Sequence, residues 1–394
     1  MKKIDRLSVF FNNASQKTLI GTLALYKERL AAFSYSDEWL SSGFSISPFS
    51  LPLEKRVFIP DWEPFGGLHG IFNDSLPDGW GRLLVDRLLL RNGIQPESLS
   101  VLDRLAIVGS SGMGALTYEP ENFLTDSPVL TSDYDALACE CERILNSELS
   151  ESDKENLDSV FAAGGSSGGA RPKVFAKIDG EDWIVKFPSS VDSKEIGLQE
   201  YEYCECARKC GIPVSETRLF PSKKCAGYFG TKRFDRNNFG AGRVLMASAS
   251  ALLETSHRIP NLDYNTLFLL TLKLTKNNAD LENLFRMMCF NVFAHNRDDH
   301  SKNFSWLYNE SQKQWQLSPA YDLTYSNSIG GEHATTIDGE GKNPSLENLL
   351  SVAQKNGIKL SRAKEIAEKV NSVVSSELSS FTSSDSSAVA DRLP

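Results

Sequence analysis

Hydrophobic positions along the first sixty residues concentrate in short runs rich in β-branched and aromatic residues, "RLSVFFNN" and "TLIGTLALY", split by the turn-like "NASQ". These read as strands. Gly66-Gly67 and then "NDSLPDGWG" (Asn73 to Gly81) form a turn-rich block. Asp78 can cap a helix starting near Gly79, where "WGRLLVDRLLLRNG" has helical periodicity and stops at Gly93. A second helix, Ser98 to Ile107, leads into "GSSGMGALTY" and completes a mixed α/β domain over 1–125. Helical patches follow at Ser132–Asn146 and Glu148–Phe161, the latter acidic and polar like a connector. Next comes a Gly/Ser loop, then a hairpin of Lys173–Ile178 and Asp182–Phe187 around Asp179-Gly180. A helix from Lys194 to Cys210 ends at Gly211, Pro213 marks its exit, and strands follow at Thr217–Phe220 and Gly227–Phe234. These elements define a segment over 126–240. From Val244 to Val370 the pattern predicts mostly helix, a domain over 241–375, before a Ser-rich tail at 376–394 that frays.

Composition narrows the class. At 394 residues the chain holds two or three domains, and 41% hydrophobic with 24% charged residues is ordinary for a soluble globular protein. A net charge of −9 and a pI near 5.3 argue against a broad nucleic-acid surface, leaving DNA contact through a basic partner. The seven cysteines include no CxxC pair, and both CxC pairs fall in helical segments, so they read as reduced thiols in a cytoplasm rather than zinc ligands. No signal peptide is recognisable at the start, and no apolar run reaches the ~18 residues of a membrane span.

The chemistry concentrates in "FNVFAHNRDDHSKNFSW", where an apolar run breaks at His295 and resumes after Asn303. Asp298 and Asn303 have the spacing D-x-x-x-x-N, in which a carboxylate accepts the proton of an attacking hydroxyl and an amide oxygen ligates Mg²⁺. Lys302 between them can neutralise a transferring phosphate, and Asp322 in "LSPAYDLTYS" supplies a second hard oxygen. Upstream, Gly164, Gly165, Gly168 and Gly169 surround Ser166 and Ser167 in a loop that backbone amides could wrap around phosphate. It lacks the Lys-Ser/Thr ending of a Walker loop, and as a bare feature equals a flexible linker. Lys186 in "DWIVKFP" shares a strand face with Ile184, away from Val185 and Phe187, where a kinase places the lysine that holds the α- and β-phosphates. Glu200 and Glu202 lie on the following helix. The order glycine loop, strand Lys, helix Glu, Asp, Asn, Asp is the order of a protein-kinase-like site. A zinc hydrolase built on His295, Asp298, Asp299 and His300 fits poorly, because two histidines five residues apart do not share one helix face well. "MMCF" (Met287–Phe290) reads as core, and His257 and His333 as surface or loop residues without a role.

The blocks "FNDSLPDGWGRLL", "GGARPKV", "IVKFP", "EYEYCECARKCGIPV", "KRFDR", "DDHSKNFS" and "LSPAYDL" together resemble the HipA family of bacterial Ser/Thr kinase toxins, as far as about residue 330. The resemblance implies an α+β, bilobal, phosphatidylinositol-kinase-like fold with an N-terminal α/β domain and a mostly helical C-terminal lobe. It implies Asp298 as catalytic base, His300 and Lys302 as supports, and Asn303 and Asp322 as Mg²⁺ ligands. ATP would lie against Gly165, Ser167, Gly168, Gly169, Lys186 and Glu202, with the hinge residues Lys232, Phe234 and Asp235 beside adenine and ribose. Ser166, or Ser167 beside it, would be the autophosphorylated residue. The implied partners are a HipB-like helix-turn-helix antitoxin, promoter DNA through it, and a translation target such as an aminoacyl-tRNA synthetase, with growth arrest (persistence) as the outcome.

Two departures stand out. The segment "RVLMASASALLETSHRIP" lacks the acidic pair with a nearby Gln that toxins of the family often carry after the hinge, and Asp299 stands where some members have Gly. Asp299 could repel phosphates or bind a second ion. A catalytically silent subunit that binds an antitoxin is disfavoured by the intact Lys186, Asp298, Asn303 and Asp322. A small-molecule kinase remains the other alternative, since fold does not fix substrate.

Overall fold

The N-terminal strands form a five-stranded sheet. In this computed structural model, which describes residues 3–13, 16–122, 133–145, 160–161, 164–165, 167–237 and 242–382, β1 (Arg6–Asn12), β2 (Lys17–Tyr26) and β3 (Leu30–Tyr35) run as an antiparallel meander. With β4 (Val57–Phe58) and β5 (Leu116–Glu119) the order is β4-β3-β2-β1-β5. Leu7, Val9 and Phe11 alternate into the core, as a sheet with one covered face requires. Helix α1 (Gly79–Arg91) buries Trp80, Leu84, Val85, Leu88 and Leu89. Helix α2 (Val101–Val108) opens with a capping box of Ser100 and Asp103, and Asp103 Oδ1 also accepts the N–H of Ile4 at 2.9 Å.

The second sheet begins with the hairpin β6 (Lys173–Ile178) and β7 (Glu181–Lys186). Asp179 and Gly180 both have positive φ, 55° and 82°, the two-residue turn that matches strand twist. Strands β8 (Thr217–Phe220) and β9 (Tyr228–Lys232) complete the order β6-β7-β9-β8. One apolar core joins this sheet to the N-terminal part: Trp80, Leu84 and Leu88 of α1 pack with Leu137, Cys141 and Ile144 of α3 (Tyr134–Leu145) and with Val174, Val185, Phe187 and Tyr228. The chain accordingly divides into two compact units, 1–197 with 218–256, and 198–217 with 257–394. The first unit combines the predicted N-terminal domain with most of the 126–240 segment. The helix α4 (Ile196–Lys209) belongs from Leu198 onward to the second.

In the second unit, α5 (Tyr264–Thr275) and α6 (Asn278–Phe293) are followed by α7 (Leu346–Lys355) and α8 (Leu360–Glu377). Met287, Met288, Cys289 and Phe290 are buried on α6, as the sequence suggests. Tyr203 of α4 donates to Ala294 O at 2.8 Å, fixing the end of α6. The prediction of mostly helix over 244–370 needs correction. Between α6 and α7 lie a β-hairpin, β10 (Ser305–Asn309) with β11 (Gln314–Leu317), and a long irregular stretch. Most of the predicted helix Glu148–Phe161, and 383–394 of the tail, lie outside the described residues; 376–382 are mostly helical. No described helix is long and apolar enough to cross a membrane.

Candidate active site

The predicted site residues fall into two groups, one in each unit. In the first unit the glycine loop is closely packed. Gly164 and Gly165 have no room for a Cβ, which would overlap Lys173 O and the Phe161 ring. Lys173 Nζ donates to Gly168 O at 2.6 Å. Ser167 is 1% exposed, and its hydroxyl donates to Gly164 O at 2.5 Å. Ser166 lies outside the described residues. On β7, Trp183 and Val185 are buried whereas Ile184 and Lys186 are half-buried, so Lys186 takes the face the sequence predicts. Its Nζ lies 5.6 Å from the centre of the Phe229 ring, and Lys173 sits directly across the hairpin.

The hinge residues have unequal surroundings. Lys232 is ion-paired with Glu181, and Phe234 is half-buried. Asp235 is fully buried: Oδ1 accepts Arg233 Nε at 2.9 Å, and Oδ2 accepts Arg233 Nη2 at 2.8 Å, Arg236 Nη1 at 2.6 Å and the Gly114 N–H at 2.7 Å. Burial raises its carboxyl pKa, but the guanidiniums of Arg233 and Arg236 and the Gly114 N–H outweigh burial and hold it below the usual carboxylate range. Burial pulls Arg236 down to about 10, against the opposing pull of Asp235. The Asp235 side chain thus ties the hinge to the loop before β5, a role that the sequence does not reveal.

In the second unit, α6 ends at Phe293 and the chain turns through His295 at φ 52°, a left-handed conformation uncommon for a side-chain-bearing residue. Asp298 is exposed, its side chain 59% accessible. Asn303 Nδ2 donates to Asp298 O at 2.7 Å, closing the loop on itself and leaving Oδ1 as the amide atom suited to a cation. His300 caps the short turn Ser301–Asn303: Nδ1 accepts the Lys302 N–H at 3.3 Å, which puts the proton on Nε2, 3.9 Å from Asp298 Oδ1. Tyr321 donates to Lys302 O at 2.5 Å and meets Ser305 Oγ at 2.6 Å, so the segment carrying Asp322 is tied to the loop. Asp322 itself has φ 58°. Side-chain-bearing residues held in left-handed backbone are over-represented at functional sites.

Several supporting residues escaped the sequence reading. Asp299 neither faces phosphates nor offers itself to an ion. It is buried, with Oδ2 accepting from Tyr264 at 3.0 Å and lying 3.0 Å from His333 Nδ1, and its carbonyl accepts Thr335 Oγ1 at 2.6 Å. His333 is therefore an interior residue, 4% exposed, and not a surface one. The chain of bonds continues from Tyr264 to Asn291 (2.9 Å) and Asn296 (2.9 Å). The His257 ring, assigned nothing from sequence, lies 5.4 Å from that of His300. On α4, Glu200 is 2% exposed and Glu202 half-buried; two positions apart, they face different sides of the helix.

A divalent cation is compatible with the donor set. Asn303 and Asp322 offer hard oxygens, too few for an all-protein cage but the number Mg²⁺ uses when phosphates and water complete its shell. Among the described residues no cluster of three or more His, Cys, Asp or Glu forms a metal site of its own.

Residues 8–119 match the HipA N-terminal domain and residues 165–377 the HipA-like C-terminal domain. The chain belongs to the HipA family. "Putative kinase Y4dM" of Sinorhizobium fredii (strain NBRC 101917 / NGR234) is 29% identical over 157 residues, 36% of this chain and only 37% of that protein. The fold is that of a chain in the Shewanella oneidensis MR-1 toxin–antitoxin complex of HipA, HipB and operator DNA: TM-score 0.69 at 17% identity, covering 95% of this chain and 90% of that one. The Helicobacter pylori proinflammatory kinase CtkA aligns over 52% of this chain and 90% of its own, with a TM-score of 0.36 and 14% identity.

Proposed function

We propose that this chain is an ATP- and Mg²⁺-dependent Ser/Thr protein kinase, the toxin of a toxin–antitoxin pair. The observation that carries this reading is the closed loop in which exposed Asp298 is followed by Asn303, whose amide nitrogen is fixed on Asp298 O. Asp298 accepts the proton of the acceptor hydroxyl as that oxygen attacks the γ-phosphorus of ATP; the γ-phosphoryl passes to the hydroxyl and ADP leaves. His300, held by the Lys302 N–H, orients Asp298, and Lys302 neutralises the transferring group. Mg²⁺, when bound, screens charge on the phosphates, and Asn303 and Asp322 would hold it. Lys186 and the loop of Gly165, Ser167, Gly168 and Gly169 bind the phosphates, with Lys232 and Phe234 at the hinge. Autophosphorylation falls on Ser166, because the Ser167 hydroxyl is enclosed.

The partners in this reading are a HipB-like helix-turn-helix antitoxin, DNA only through it, and a cytoplasmic protein substrate in translation, such as an aminoacyl-tRNA synthetase. The Shewanella complex, whose chain shares this fold, supports the first. The test is incubation of purified protein with γ-labelled ATP and Mg²⁺. Wild type should label itself and Asp298→Asn should not; label on the variant overturns the assignment.

A further inference from the structure

The turn "PDGWG", Pro77 to Gly81, has no task in phosphoryl transfer. Asp78 occupies the N-cap position of α1, yet makes no side-chain capping bond. Its Oδ1 instead accepts the N–H of Gly169, in the glycine loop. Trp80 N donates to Gly169 O at 2.9 Å. Both peptide groups of Gly169 are thus satisfied by the same turn. The fit is backbone to backbone: a Cβ on Gly79 would overlap Gly169 O, one on Gly81 would overlap Ser167 O, and one on Gly168 would lie 3.1 Å from Asp78 Oδ1.

We propose that Pro77–Gly81 is the seat of the glycine loop, and that Asp78 is the latch ordering that loop for nucleotide. The inference rests on the kinase reading and gives it a control point outside the kinase core. A glycine-rich segment loses more backbone freedom on ordering than any other. A loop already pinned at Gly169 does not lose it again when a triphosphate arrives, so affinity rises by preorganisation. Ionised Asp78 makes a charge-assisted bond, stronger than a neutral amide would make. Asp78 is a positioning residue, acting through Gly169 N–H.

Hydrogen exchange on the nucleotide-free protein reads the latch directly, and calorimetry with a non-hydrolysable ATP analogue reads its consequence. Asp78→Asn should speed exchange at Ser167–Ala170 roughly tenfold and weaken the analogue by a similar factor, with an unchanged thermal melt. Gly81→Ala should likewise speed exchange at Ser167–Ala170 and weaken the analogue through overlap with Ser167 O, its charge untouched. Unchanged exchange in both variants overturns the latch. Tighter analogue binding by Asp78→Asn also overturns it, making Asp78 a competitor for the Gly169 N–H. If wild type binds no nucleotide while Asp78→Asn speeds exchange, the kinase reading fails and the latch stands.

Discussion

Asp299 Oδ2 lies 3.0 Å from His333 Nδ1 in the interior of the second unit, one residue along from the exposed Asp298. Adjacent carboxylates thus have opposite tasks, one built into the protein and one presented to solvent. Asp299→Ala strands Tyr264, His333 and the Thr335 N–H without their acceptor, and should cost about 3 kcal/mol or more of unfolding free energy. Asp298→Asn should stay within about 0.5 kcal/mol of wild type. Urea denaturation of both variants, followed beside the parent, checks the contrast.

Asp235 sets a pH dependence. Its folded carboxyl titrates below the ordinary range, so its ionised form contributes stability that is fully present above about pH 4 and fades as pH falls further. Asp235→Asn should lower the melting temperature at pH 7, since removing one partner leaves two buried guanidiniums uncompensated. The gap between variant and wild type should narrow from about pH 4 downward. A gap that widens in acid would show that Asp235 is protonated in the native chain.

Ser167 is enclosed, with its hydroxyl spent on Gly164 O. Tryptic mapping after incubation with Mg-ATP should therefore find phosphate on Ser166, abolished in Ser166→Ala and retained in Ser167→Ala. Phosphate on Ser167 would mean that the loop leaves this conformation before it is modified.

Glu200→Gln should lower the unfolding free energy by about 1–3 kcal/mol, whereas Glu202→Gln should stay within about 0.5 kcal/mol of wild type, because only the Glu200 carboxylate is taken out of water. Thermal melts of the two variants decide between them.

Local signals explain what was legible. Lys173–Ile178 and Thr217–Phe220 fall where the sequence puts them, and the Asp179-Gly180 turn fixes its hairpin register. The hairpin at Ser305–Asn309 escaped, since Ser305 through Tyr308 are all buried and a strand covered on both faces shows no alternation. Asp235, Asp299 and Asp78 were misread or given only part of their role for a common reason. Their partners Gly114, His333 and Gly169 lie 121, 34 and 91 positions away, and only the fold brings them together.

The bond between Asp235 and Gly114 also limits how the gene can be cut. A truncation that removes the N-terminal sheet would strip the Gly114 N–H from Asp235, open its ion pairs with Arg233 and Arg236 to water, and leave raw apolar surface where Trp80, Leu84 and Leu88 had been. Chimaeras between relatives should keep the Ser110–Ala115 loop and the Arg233–Arg243 stretch from the same parent, since they are inherited as one joint.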